Sequence, residues 1–203
     1  MAAKATLMAK QTIMMCAYEL KQTAIREVLV RVLNSSITVE VLDPSECAAS
    51  AYVISLNPHQ FKRLKIGFHH DYEDYQEACF DSMLAELPKN NDVVHLTLDA
   101  LSLSDGTVSA MVKLLQYFPN LQRLELFDLD ISHGVLLTVD KELEGLKKVL
   151  KHLSHLNLRR NSNKHPTNFH LVVFQHFITR EKITCRLFCT ASTEKLGGAW
   201  EQG

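Results

Sequence analysis

Apolar and polar positions fall into one short phrase that the chain repeats. Residues 121–131, Leu-Gln-Arg-Leu-Glu-Leu-Phe-Asp-Leu-Asp-Ile, are apolar at Leu121, Leu124, Leu126, Leu129 and Ile131. The alternation around Leu124 predicts a short strand with one apolar side and one polar side. The phrase returns as Phe61, Leu64 and Ile66, as Val93, Leu96 and Leu98, and as Leu153, Leu156 and Leu158. Its central leucines, Leu64, Leu96, Leu124 and Leu156, follow one another at 32, 28 and 32 positions. A weaker copy, Thr184-Cys-Arg-Leu-Phe-Cys189, puts Leu187 31 positions after Leu156. One leucine phrase is chance, whereas four in step imply one structural unit used repeatedly.

Between the phrases the apolar period lengthens to that of a helix. Helices are expected over 74–87, ending before Pro88, over 105–118, ending before Pro119, and over 140–152. Upstream, Ile37-Thr-Val-Glu-Val41 alternates as a strand. Asp43-Pro44-Ser45-Glu46 then has the form of a helix start, with Asp43 as N-cap, Pro44 at the first helical position and Glu46 closing a capping box. That helix continues to Leu56 and stops at Asn57-Pro58. Residues 5–33 read as one long helix or two in sequence, with a wide apolar stripe and no Pro or Gly. Beyond a polar loop at 161–168, a helix is expected over 169–179, a strand over 182–189, and a frayed tail from 191.

The phrase L-x-x-L-x-L-x-x-L-x-L resembles the leucine-rich repeat, and strand–helix units of 28 to 32 residues resemble its long, ribonuclease-inhibitor-like form. The resemblance implies an α/β leucine-rich-repeat solenoid, a horseshoe with parallel concave strands and convex helices. Its expected parts are a helical N-terminal cap over 1–36, the repeats over 37–190 and a flexible tail over 191–203. A narrower likeness lies in residues 42–56, Leu-Asp-Pro-Ser-Glu-Cys-Ala-Ala-Ser-Ala-Tyr-Val-Ile-Ser-Leu. This segment resembles the opening repeat of the C-terminal leucine-rich region of NOD-like receptors. The likeness implies a ligand-sensing or autoinhibitory repeat region of an innate immune receptor, without the ATPase module that such receptors carry upstream.

Composition narrows the chemistry. The 203 residues allow one domain with a sizeable core, and 46% hydrophobic with 22% charged residues is ordinary for a globular protein. A formal net charge of −1 gives no global attraction to nucleic acid or to anionic membrane. Five scattered cysteines and the lack of a signal-peptide pattern favour free thiols in a reducing, cytoplasmic setting. No run of about 18 apolar residues suggests a membrane span. Gly67, Gly106, Gly134 and Gly145 are isolated and form no phosphate-binding loop, so no nucleotide cofactor is expected. His69-His70-Asp71, and His165, His170 and His176 near Cys185 and Cys189, lack the paired spacing of a zinc site, and no metal is expected. No nucleophile–base pattern stands out, so the chain is read as a non-enzyme.

Registry between repeats gives the candidate binding face. Stacked strands bring equivalent positions into columns, and the residue before each central leucine faces outward. The first column reads Arg63, His95, Arg123, His155 and Arg186; the second Lys65, Thr97, Glu125, Asn157 and Phe188; the third Gly67, Asp99, Phe127 and Arg159. The expected partner is a protein held on the concave face, with an acidic surface favoured by the first column and Phe127 as a central aromatic anchor. His95 and His155 would tighten such binding as pH falls toward about 6. Two other functions use the same face. One is the substrate-recruiting repeat domain of a ubiquitin ligase, although residues 5–33 lack an F-box-like opening. The other is a free-standing inhibitor or adaptor. The pattern leaves the ligand and the oligomeric state open.

Overall fold

A computed structural model of the chain describes residues 2–21, 23–41, 43–68, 75–102, 104–127, 145, 148, 153–159 and 184–188. Each copy of the phrase forms a strand: β2 (Arg63–Phe68), β3 (His95–Asp99), β4 (Arg123–Phe127) and β5 (His155–Arg159). Ser36–Val41 adds β1 in front, and Thr184–Phe188 adds β6 behind. All six strands are parallel and lie in chain order, β1-β2-β3-β4-β5-β6. A parallel neighbour can be reached only by carrying the chain back to the same end of the sheet. Helices make the first three returns: α3 (Pro44–Leu56), α4 (Gln76–Glu86) and α5 (Asp105–Leu115). The class is therefore α/β, with α4 packed between α3 and α5.

The strand phrase explains which face these helices cover. Ile37, Val39, Leu64, Ile66, Leu96, Leu98, Leu124, Leu126 and Leu156 are all buried and alternate with polar positions. They join Ile54, Phe80, Met83, Val108 and Met111 from the helices in one core. Phe68 and Phe80 meet edge to face, with ring centroids 5.5 Å apart. Burying each such side chain is worth about 1.5–3 kcal/mol.

The entry to each strand is built alike. The N–H groups of Lys62 and Arg63 both donate to the Ser35 carbonyl, and those of Val94 and His95 to Lys62. Those of Gln122 and Arg123 donate to Val94, and those of Ser154 and His155 to Gln122. The unequal spacings of the sequence are thus absorbed in the returns, and strand register is conserved from unit to unit. Buried Asn91 links two of these turns, donating to the Pro88 and Tyr117 carbonyls and accepting from the Val93 N–H.

The capping box expected at Asp43 is present: its carboxylate accepts from the Ser45 N–H, while Glu46 accepts from the Asp43 N–H. The helix at 74–87 is described only from Gln76 and ends at Glu86, because Leu87 is already extended ahead of Pro88. The helix expected over 105–118 stops at Leu115, three residues short of Phe118. Most of 140–152 lies outside the described residues. Gly145 is described, and a Cβ there would stand 2.7 Å from Gln116 Nε2 and 3.0 Å from Val112 Cγ1, so Gly145 itself lies close against the side chains of Val112 and Gln116. The expected helix at 169–179 and the tail from 191 also lie outside.

The first 33 residues form two helices rather than one, α1 (Ala2–Leu20) and α2 (Arg26–Leu33), joined through a 3-10 turn at Thr23–Ile25. The break falls at Lys21, whose φ of 47° lies in the left-handed region. Its ammonium sits 3.8 Å from the Tyr18 ring centroid and 4.3 Å from that of Tyr52, and pairs with Glu86 at 3.0 Å. Helix α1 packs on α3 and on β1, through Met14 and Ala17, which are buried. The Gln11 amide meets the edge strand as a neighbouring strand would. Its Nε2 donates to the Glu40 carbonyl at 2.8 Å, and its Oε1 accepts from the Glu40 N–H at 3.2 Å.

One column assignment needs correction. Strand β6 pairs Thr184 with His155, Cys185 with Leu156 and Arg186 with Asn157. Cys185 therefore takes the central-leucine position, and Leu187 aligns with Leu158. Arg186 belongs to the second column, not the first, and Phe188 aligns with Arg159 in the third. A slip of two preserves the alternation of the pattern, so periodicity alone does not expose it.

Candidate functional site

The face of the sheet away from the helices carries the candidate site. Register aligns Arg63, His95, Arg123 and His155 in one row across β2 to β5. The next row holds Lys65, Thr97, Glu125, Asn157 and Arg186, and the third Gly67, Asp99, Phe127, Arg159 and Phe188. All ten residues singled out from the sequence lie in these three rows.

The rows differ in depth. Thr97, Glu125 and Asn157 in the middle row are buried although they are polar, at 6%, 9% and 9% exposure. Arg63, Arg123 and His155 stand exposed above them. The face is thus a polar trough under a rim of basic side chains.

Glu125 organises the trough. Arg123 straddles one of its oxygens, with Nη2 at 2.7 Å and Nε at 3.0 Å from Oε1. On the other oxygen, His95 Nε2 lies at 3.0 Å from Oε2 and the Thr97 hydroxyl donates at 3.1 Å. Burial pushes the Glu125 carboxyl pKa upward, but the bonds from His95, Arg123 and Thr97 outweigh it and hold the value down, to about 2. A charge-assisted network of this kind fixes side chains that would otherwise wander.

This network alters the sequence reading of a basic stripe. Arg123 and His95 already serve Glu125, and Lys65 pairs with Asp99 at 2.9 Å. Among the described residues, Arg63 is the guanidinium of the first row without a carboxylate partner. His155 Nδ1 shares a 2.9 Å contact with the Ser154 hydroxyl, which also donates to the Gln122 carbonyl. The missing signal was neighbour chemistry: Glu125 lies one row over from Arg123, and two residues along a strand place both side chains on one face. Phe127, half-buried, is the aromatic member of the third row. At the strand-entry end, Asp92 gathers Lys62 at 2.7 Å and His59 at 3.4 Å, and those bonds lower its pKa.

Buried Asn157 Oδ1 has no hydrogen-bond partner among the described residues. Among the described residues, the buried cysteines Cys47 and Cys79 are free thiols on α3 and α4. Their mutual contact, with burial, pushes the Cys47 pKa well above the ordinary value, which suits a packing group better than a nucleophile. The histidine clusters at 69–71 and 165–176 lie outside the described residues. Among the described residues, no three or more His, Cys, Asp or Glu side chains are grouped to hold a metal ion. No described helix is long and apolar enough to cross a membrane.

Neither protein-family models, nor curated proteins, nor solved structures give a match to this chain.

Proposed function

We propose that the chain is a non-catalytic recognition module, a leucine-rich-repeat solenoid of the ribonuclease-inhibitor-like type that holds a protein partner on its concave sheet face. One observation carries the reading. The same strand entry, two N–H groups on the preceding unit's carbonyl, recurs at Arg63, His95, Arg123 and His155, each time followed by a buried leucine. Such a repeat stacks equivalent side chains into one continuous surface, which is how repeat proteins bind. On that surface, Glu125 pre-orders Arg123 and His95, so less side-chain entropy is lost when a partner docks. Among the described residues, Arg63 is the guanidinium left to meet a partner carboxylate, and Phe127 supplies an apolar contact.

The biological setting we favour is the ligand-sensing or autoinhibitory repeat region of a NOD-like receptor in the cytoplasm. Support comes from the Pro44-Ser45-Glu46-Cys47 helix start, whose capping box opens the helix that leads into the first phrase strand. Free thiols at Cys47 and Cys79 suit a reducing compartment.

Photo-crosslinking tests the face. A photoreactive residue placed at Arg63, Phe127 or His155 is expected to yield one shared protein adduct in cells. The same residue at Asp81 or Lys113, exposed on α4 and α5, is expected to yield none of it. Adducts confined to the helix positions would sink the proposal. Intact mass of the endogenous protein separates the settings: a species several times heavier than 23.0 kDa supports the receptor, and one of 23.0 kDa a free-standing inhibitor or adaptor.

A further inference from the structure

Strand β1 is an edge strand, and its outer side is only partly covered. The Gln11 amide takes both backbone groups of Glu40. Because backbone groups alternate sides along a strand, those of Thr38 and Ser36 point to the same free edge as those of Glu40. There, a groove of about 250 Å³ separates β1 from α1, lined by Leu7, Lys10, Leu33, Ser36 and Thr38 among others. Among the described residues, no side chain does for Thr38 what Gln11 does for Glu40, and Lys10 has no carboxylate partner. The groove is open on one side and lies below the roughly 300–1,000 Å³ of a small-molecule pocket.

We propose that this groove binds a short extended acidic peptide segment of a partner protein, which adds to the sheet beside β1. The internal amide of Gln11 is the template: it occupies one peptide position of a missing strand, and the groove holds the next position in the same line. An extended chain entering there would pair its own N–H and C=O with those of Thr38, as in strand addition to an exposed sheet edge. Leu7 and Leu33 give an apolar wall for one side chain. Lys10 selects a carboxylate on the residue that faces α1. Ser36 and Thr38 begin the rows that Arg63 and Lys65 continue, but the site takes only their edge backbone groups together with Leu7 and Lys10 of α1, so it is tested separately from the recognition face proposed above.

The test is selection from a displayed heptapeptide library on the full chain, with two variants as controls. Leu7→Trp fills the groove, and Lys10→Glu reverses its charge; both are checked for an unchanged thermal melt. The parent is expected to enrich peptides with an Asp or Glu amid β-branched residues, and Leu7→Trp is expected not to. Binding of the enriched peptides should fall at least about tenfold in Lys10→Glu, a loss of about 1.4 kcal/mol. N-methylation at alternate peptide nitrogens should abolish binding, and at the intervening ones should not. A charge reversal on the helical side, Lys113→Glu on α5, should bind them unchanged. Enrichment that is equal on Leu7→Trp, absent altogether, free of acidic residues, or indifferent to N-methylation would overturn the proposal.

Discussion

At the scale of single residues, Glu125 has the most to lose. Its carboxyl pKa, about 2 in the folded chain against an ordinary 4.5, makes folding pH-dependent. A depressed carboxyl contributes stability that is fully present above its unfolded value. That contribution drains as pH falls through the window from 4.5 toward 2. On a face open to solvent, screening reduces it to about 1–2 kcal/mol. Glu125→Gln is therefore expected to lose about that much at pH 6 and almost nothing relative to the parent near pH 2. Urea unfolding at the two pH values checks this, and an equal loss at both would mean that shape rather than charge matters at this site. The sequence placed Glu125 correctly on the outward side but left it an unconnected member of a column. Its bonds to His95 and Thr97 need the distance between β3 and β4, which no local pattern supplies, whereas Arg123 stands two residues away on the same strand.

Elements were far more legible, and for a physical reason. A strand with one face buried must alternate, and a return helix must show its own period, so the phrase marks β2 through β5 without any tertiary contact. Helix starts were legible where a side chain does the capping. The Asp43–Glu46 box is local chemistry, and Asp43→Ala is expected to cost about 1 kcal/mol, read as a lowered midpoint in urea with an unchanged slope. A loss below about 0.3 kcal/mol would mean that packing of α3 between α1 and α4 sets its start without the cap. What stayed illegible were stops and slips. The N-terminal helix breaks at Lys21, which is no helix-breaking residue; its ammonium lies over the rings of Tyr18 in α1 and Tyr52 in α3 and pairs with Glu86 of α4, contacts that no local pattern supplies. The two-residue slip of β6 preserves the alternation of the pattern, so only the pairing of Cys185 with Leu156 uncovers it.

For the whole molecule, a stack of strands in chain order has a general weakness: its first strand has no neighbour on one side. An exposed edge of unpaired N–H and C=O groups is a template for other chains. Helix α1 answers this by lying against β1 and α3, with Ala17 at 0% exposure in the contact and Gln11 closing the edge at Glu40. If that cover is what keeps copies apart, loosening it should change the state of association without rearranging the sheet. Ala17→Asp places a carboxylate where there is no room and no water. Helix α1 should give way before β2 to β5 do, because the charge costs less if the helix detaches than if it is buried unpaired. The expected result is a higher mass by light scattering than the parent at the same concentration, rising with concentration. Amide exchange should accelerate at Glu40 and stay slow at Leu96. Glu19→Lys, on the exposed side of the same helix, should leave both readings where they are. If Ala17→Asp keeps the parent's mass while exchange quickens equally at Glu40 and Leu96, α1 is part of one cooperative core and not a separable cover for the edge.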